Sequence, residues 1–138
     1  MAHRNPSDQD LKQILSSAST IAVVGASSNP DRSSNGIMGR LLQLGYRVIP
    51  VNPNETDVLG QKAYPSLSTV PVPIDIVDVF RRSPDVAAHV DDILAKRPRA
   101  VWLQLGIVDD KSAETWAAAG ILVVQDRCLM VDHRRYAR

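Results

Sequence analysis

The stretch Thr20-Ile21-Ala22-Val23-Val24-Gly25-Ala26-Ser27-Ser28-Asn29-Pro30 constrains the fold of this chain most tightly. A short apolar run breaks at a glycine into a loop of small residues, and Ser34-Asn35-Gly36 then opens a helical pattern. A run of Ile, Ala and Val suits a parallel strand covered on both faces. Glycine at its end lets backbone N–H groups approach an anion, which the N-terminus of the next helix also favours. The unit is an α/β building block whose turn suits a nucleotide-like ligand.

At 138 residues the chain is long enough for one domain with a single core, since chains of this size bury roughly two thirds of their unfolded surface. A net charge of +1 gives no general attraction to nucleic acid or an acidic membrane, so any anion must be held by local groups. Cys128 is the one cysteine, which excludes an internal disulfide. No apolar run approaches the roughly 20 residues that span a bilayer. The start, Met1 to Asp10, is polar and lacks the apolar centre of a signal peptide. A cytoplasmic single domain is expected, with residues 1–18 as an N-terminal tail and helix and residues 129–138 as a basic C-terminal tail.

Periodicity fills in the rest. Ser7 and Asp10 resemble a capping box ahead of Leu11, Ile14 and Leu15 on one helical face. Ile37, Met38, Leu41, Leu42 and Leu44 recur at helical spacing, and Gly45 provides a left-handed stop. Arg47 to Val51, Ile74 to Phe80, Ala100 to Leu105 and Ile121 to Val124 read as further strands. Helices from Pro84 to Lys96 and from Asp109 or Asp110 through Ala119 separate the later ones. A loop between Pro53 and Pro65 has room for a short extended piece around Val58 to Ala63. Strands alternating with helices predict a Rossmann-like, doubly wound parallel sheet in a three-layer α/β/α arrangement.

Ligands of such sheets lie beyond the carboxyl ends of the strands. The residues there are Gly25 to Ser28, Asn52-Pro53, Phe80-Arg81-Arg82, Gln104-Leu105-Gly106 and Asp126-Arg127-Cys128. The dinucleotide fingerprint requires three closely spaced glycines and an acid about 20 residues on. This chain has Ala26, Ser27 and Ser28 after Gly25, and Asn52 where the acid would stand, which disfavours an NAD-dependent oxidoreductase. Arg32, Lys62, Arg81 and Arg82 are instead placed to meet phosphates, for which the arginine fork makes paired charge-assisted hydrogen bonds. Ser27, Ser28, Ser34 and Asn35 serve equally as caps of the helix.

Catalytic groups are harder to assemble. Cys128 beside Arg127 is either a buried structural cysteine or, with its thiol activated by the guanidinium, a nucleophile or redox partner. His3 lies in the tail, His89 on a helix and His133 among basic residues, without metal-ligand or triad spacing. Asp75 and Asp78 suit edge solvation or a loop hydrogen bond better than acid–base work. Phe80 either stacks on a base or packs beneath a loop, and Trp102 belongs to the core.

Taken together, these segments resemble a known group. They are Ile21 to Ser27 with Pro30, Gly45-Tyr46-Arg47-Val48-Ile49-Pro50-Val51-Asn52-Pro53, Val58 to Tyr64, Val77 to Arg82, Val101 to Gly106 and Asp126-Arg127-Cys128. The chain is similar to the small bacterial and archaeal CoA-binding proteins, whose fold is like that of the CoA-binding domain of succinyl-CoA synthetase α subunits. The resemblance implies that coenzyme A is bound with its diphosphate at the first glycine loop. By position, Gly25, Ala26, Ser27, Ser28 and Ser34 would line the phosphates, Val51, Asn52 and Pro53 the adenosine side, and Phe80 and Arg81 the opposite wall, with Arg32 and Arg82 nearby. It implies no reaction, because the synthetase's phosphorylated histidine belongs to another domain. Non-catalytic binding of CoA or an acyl-CoA is the expectation; a CoA-dependent enzyme using Cys128 is the alternative.

Overall fold

A computed structural model describes residues 3–137; Met1, Ala2 and Arg138, the ends of the two expected tails, lie outside the described residues. In chain order the elements are helix α1 (Asp8–Ser17), strand β1 (Thr20–Val24), α2 (Ser33–Gln43), β2 (Arg47–Val51), a hairpin of β3 (Asp57–Val58) and β4 (Gln61–Lys62), β5 (Ile76–Val79), α3 (Val90–Lys96), β6 (Ala100–Leu103), α4 (Asp110–Ala118), β7 (Leu122–Val124) and α5 (Leu129–Tyr136). The segment from Pro84 to Lys96, expected as one helix, divides into a 3-10 stretch (Ser83–His89) and α3, because His89 leaves helical values at φ −100°, ψ 0°.

Five strands form one parallel sheet in the order β2-β1-β5-β6-β7. Their side chains alternate between two buried layers. Ile21, Val23, Ile76 and Trp102 face one layer with α1, α2 and α5, while Ala22, Val24, Val77, Val79 and Leu103 face the other with Val86, Ile93 and Trp116. Both faces are covered, as an uninterrupted apolar strand requires. Among the described residues no helix is long and apolar enough to cross a membrane.

Both edges of the sheet are closed. Pro50 lacks an N–H but sits on the edge strand β2, and its carbonyl accepts the Tyr64 N–H from outside the sheet. At the other edge the Asn5 side-chain amide pairs with the Gln125 backbone in both directions, at 3.0 and 2.8 Å. This amide stands in for a neighbouring strand and blunts the β7 edge.

The segment after Cys128, expected as a solvated basic tail, is helix α5 as far as it is described. Leu129, Met130 and Asp132 are buried, and only the outer face carries Arg134 and Arg135. Buried Asp132 accepts the Trp102 indole N–H at 3.0 Å and the Arg127 guanidinium at 2.6 Å. These charge-assisted bonds dock α5 on the sheet and satisfy an indole that would otherwise be buried unpaired.

The two strand aspartates part company. Asp75 accepts the Ser19 and Thr20 N–H groups at 2.9 and 3.0 Å, the loop hydrogen bond expected of it. Burial pushes its pKa up, but these bonds, the Ser19 hydroxyl and the Arg99 charge outweigh burial and hold it below the usual range. Asp78 is neither edge-solvated nor hydrogen-bonded. It lies mid-sheet between Val23 and Trp102, fully buried, with no partner for either carboxylate oxygen among the described residues. Burial therefore raises its pKa well above 3.8.

The crossing from β1 to α2 is set by backbone contact. Gly25 donates its N–H to the Val51 carbonyl at 2.9 Å, and Phe80 donates to the Val24 carbonyl at 2.8 Å. Gly25 has φ +88°, and a Cβ there would lie 2.6 Å from the Phe80 carbonyl oxygen.

Two outcomes follow. Gly25→Ala should lower stability by about 2–4 kcal/mol, from left-handed strain and overpacking together, as read by urea denaturation; an unchanged midpoint would contradict the contact. For Asp78, the raised pKa means that the fold holds a proton which the unfolded chain releases near 3.8. Its stabilising contribution is full below that value and is lost as pH rises towards the folded pKa. The stability of Asp78→Asn relative to the natural chain should therefore rise above about pH 4, by up to about 1.4 kcal/mol per pH unit. A difference constant from pH 4 to 8 would contradict a buried, unpaired carboxyl.

Candidate functional site

From β1 the chain passes outward to β2 and then crosses back to β5, so the loops following β1 and β5 diverge at their carboxyl ends. A cleft of about 500 Å³ opens at this switch point. Gly25 and Ser27 line it from the loop after β1, and Arg32, Ser33 and Ser34 from the start of α2. Asn52 contributes from the end of β2, Phe80 to Ser83 from the end of β5, and Gln104 to Ile107 from the end of β6.

The cleft's electrostatics are one-sided. Arg32, Arg81 and Arg82 line it, and no aspartate or glutamate does. The α2 N-terminus has no side-chain cap, and Arg32 occupies the N-cap position. The Ser27 N–H has no hydrogen-bond partner among the described residues. Unpaired N–H groups, a helix dipole and guanidinium groups all favour an anion.

Hydrogen bonds tie the loops around the cleft to one another in pairs. Asn52 donates to the Ala26 carbonyl at 2.8 Å and accepts the Asn54 N–H at 3.0 Å, buckling the first loop to the second. The Ser83 hydroxyl accepts the Val108 N–H at 3.0 Å, joining the loops after β5 and β6. Beneath them, buried Gln104 accepts the Leu129 N–H at 3.0 Å. Arg82 is 84% exposed in its side chain and lies 3.5 Å from Asp85. Arg81 is half-buried, and beyond it a small recess of about 50 Å³ is lined by Val51, Pro53 and His89. Burial lowers the His89 pKa and the nearby Arg81 charge lowers it further, against the opposing charges of Asp92, which also lines the recess, and Asp85.

Eight of the twelve expected residues line the cleft directly: Gly25, Ser27, Arg32, Ser34, Asn52, Phe80, Arg81 and Arg82. Val51 and Pro53 line the adjoining recess that Arg81 shares. Ala26 is fully buried in the core and outside the cleft lining. Ser28 is turned to Glu55, whose carboxylate accepts its N–H at 2.7 Å and its hydroxyl at 2.9 Å. Ser33, Ser83 and Ile107 were not expected; Ser33 lies between the expected Arg32 and Ser34, and Ser83 and Ile107 directly follow strand-end residues.

Cys128 stands outside this cleft. It is half-buried at the N-cap of α5, not in the core, and lines a neighbouring hollow with Leu105. The Arg127 guanidinium that would activate it is bound to Asp132. His133 bonds the Tyr46 hydroxyl at 2.8 Å, and His3 lies 2.7 Å from the Val123 carbonyl, both on parts of the fold remote from the cleft lining.

Comparison with known proteins agrees with this architecture. Residues 19–134 match the family model described as CoA binding domain. The chain is 38% identical over 130 residues to the uncharacterized protein YneT of Bacillus subtilis (strain 168), covering 94% of this chain and 96% of that one. A solved structure from Thermus thermophilus is 44% identical, with a TM-score of 0.91 over 95% of this chain and 99% of that one. The dinucleotide-forming acetyl-coenzyme A synthetase 1 of Ca. Korarchaeum cryptofilum, solved with phosphate and ADP, is 27% identical, with a TM-score of 0.71. That match covers 83% of this chain but 26% of the synthetase. The family match spans the whole parallel sheet with its switch-point cleft, and this chain belongs to the CoA-binding domain family.

Proposed function

We propose that this chain binds coenzyme A or an acyl-CoA in the switch-point cleft and acts through binding, without catalysing a reaction there. The observation that carries this reading is the cleft's charge: three arginines and an uncapped helix N-terminus face it without an opposing carboxylate. The diphosphate would lie against the Ser27 N–H and the first turn of α2, where Ser34 is buried. The adenosine would reach past Asn52 towards Val51 and Pro53, with Arg81 between the two compartments. Phe80 forms the opposite wall. The lining offers arginine, serine, asparagine and glutamine, but no histidine, cysteine or acid to act as a general acid, general base or nucleophile.

Arg81 and Arg82 contribute unequally in this account. Half-buried Arg81 is shielded from water, whereas Arg82 is solvated and beside Asp85. A charged hydrogen bond is worth about 1.5–3 kcal/mol where water is excluded, and surface pairs about 0–1 kcal/mol.

Calorimetry with CoA, dephospho-CoA, ATP and NAD should rank CoA first, with the loss on removing the 3′-phosphate reporting a guanidinium contact. Equal affinity for all four, or binding of none, would contradict the reading. Arg81→Ala should weaken CoA by about 1.5–3 kcal/mol and Arg82→Ala by less than about 1 kcal/mol. The reverse order would show that the phosphates lie at the outer rim.

A further inference from the structure

Leu105 is unexplained by the fold: it is 67% exposed, the most exposed of the large apolar side chains described. It is also fixed in place. The next residue, Gly106, donates its N–H to the Asp126 carboxylate at 2.7 Å, and Asp126 returns its own N–H to the Ile107 carbonyl at 3.2 Å. Asp126 adopts φ +56° in this clasp, a left-handed conformation that its short hydrogen-bonding side chain tolerates. Ser83 holds the same loop from the other side. The clasp thus fixes an apolar side chain in water beside a second exposed one, Val131, which lines the same hollow, and an apolar patch held in place favours a ligand.

What lies on either side of Leu105 defines that ligand. On one side is the cationic cleft. On the other is a second hollow of about 350 Å³, which Leu105 shares with Cys128, Val131 and Tyr136. Val131 is 48% exposed and is the second unexplained apolar side chain there. Of the hollow's charged lining residues, Arg127 and Asp132 are neutralised by their mutual ion pair and Asp126 is held by the Gly106 N–H, while Arg135 lines its outer side. An occupant of both compartments that is anionic at one end would meet the arginines of the cleft, and an apolar far end would meet Leu105, Val131 and the Tyr136 ring, with a neutral segment crossing Leu105.

We propose that the second hollow receives the acyl group of an aliphatic acyl-CoA, whose pantetheine arm crosses the Leu105 ridge from the cleft. This rests on the reading that the cleft binds coenzyme A. The hollow then makes the protein selective for the thioester over free coenzyme. Pre-fixing the ridge lowers the ordering cost of binding a flexible arm.

The test is calorimetry with CoA, acetyl-, butyryl-, hexanoyl- and octanoyl-CoA, together with alkylation of Cys128 by iodoacetamide. Affinity should rise along the series, by up to about fourfold for each fully buried methylene, and level off when the hollow is full. Hexanoyl-CoA should slow Cys128 alkylation, and adenosine 3′,5′-bisphosphate, which lacks the arm, should not. Val131→Asp should flatten the dependence on chain length. If CoA binds but chain length has no effect and Cys128 stays equally reactive, the acyl site is wrong and the coenzyme reading stands. If neither CoA nor any thioester binds, both fail. Alkylation that slows with protein concentration in the absence of ligand would assign the hollow to a second copy of the chain and overturn the proposal.

Discussion

The close approach of Gly25 to the Phe80 carbonyl is the contact on which the molecule depends. With 2.6 Å between a hypothetical Cβ and that oxygen, only glycine lets the chain leave β1 while β5 passes alongside. The same junction aligns the ends of three strands, because Gly25 also bonds Val51 of β2 and Phe80 bonds Val24 of β1. Sheet order then does the rest. A chain that goes from β1 to β2 and back across to β5 must leave a gap where the connections diverge, and this gap is the cleft.

Charge distribution gives the gap its chemistry. Glu55, on the loop after β2, is occupied by the Ser28 amide and hydroxyl, so it organises the loop after β1 without lining the cleft. Asn52 stands where a carboxylate would repel phosphate, and its amide braces Ala26 instead. Two further acids close to the sheet are committed elsewhere in the same way, Asp75 to the entry of β1 and Asp132 to Trp102 and Arg127. A cationic cleft in a chain of net charge +1 arises by placing the carboxylates, not by an excess of basic residues.

Much of this was legible in the sequence, and the exceptions share a cause. The glycine turn, the order of strands and helices and the cluster of strand-end residues follow from local periodicity and turn chemistry, which short windows reveal. Ser28 and Ala26 did not follow, because an N–H that faces a ligand cannot be told locally from one that faces Glu55, 27 residues away. Asp78 looked like an edge residue because a strand pattern does not disclose its rank in the sheet; β5 is central and helices cover both faces. The last helix looked like a solvated tail because its buried anchor, Asp132, is polar and finds Trp102 only through tertiary folding. Local signals identified where the cleft forms, and long-range pairing decided which of its neighbours face it.

The most direct measurement is the structure of a crystal grown with coenzyme A. The account predicts diphosphate density within hydrogen-bond distance of the Ser27 N–H and the first turn of α2, with the Arg81 side chain ordered between the diphosphate and the adenosine. Coenzyme density elsewhere on the surface, with the turn after Gly25 unoccupied, would contradict it.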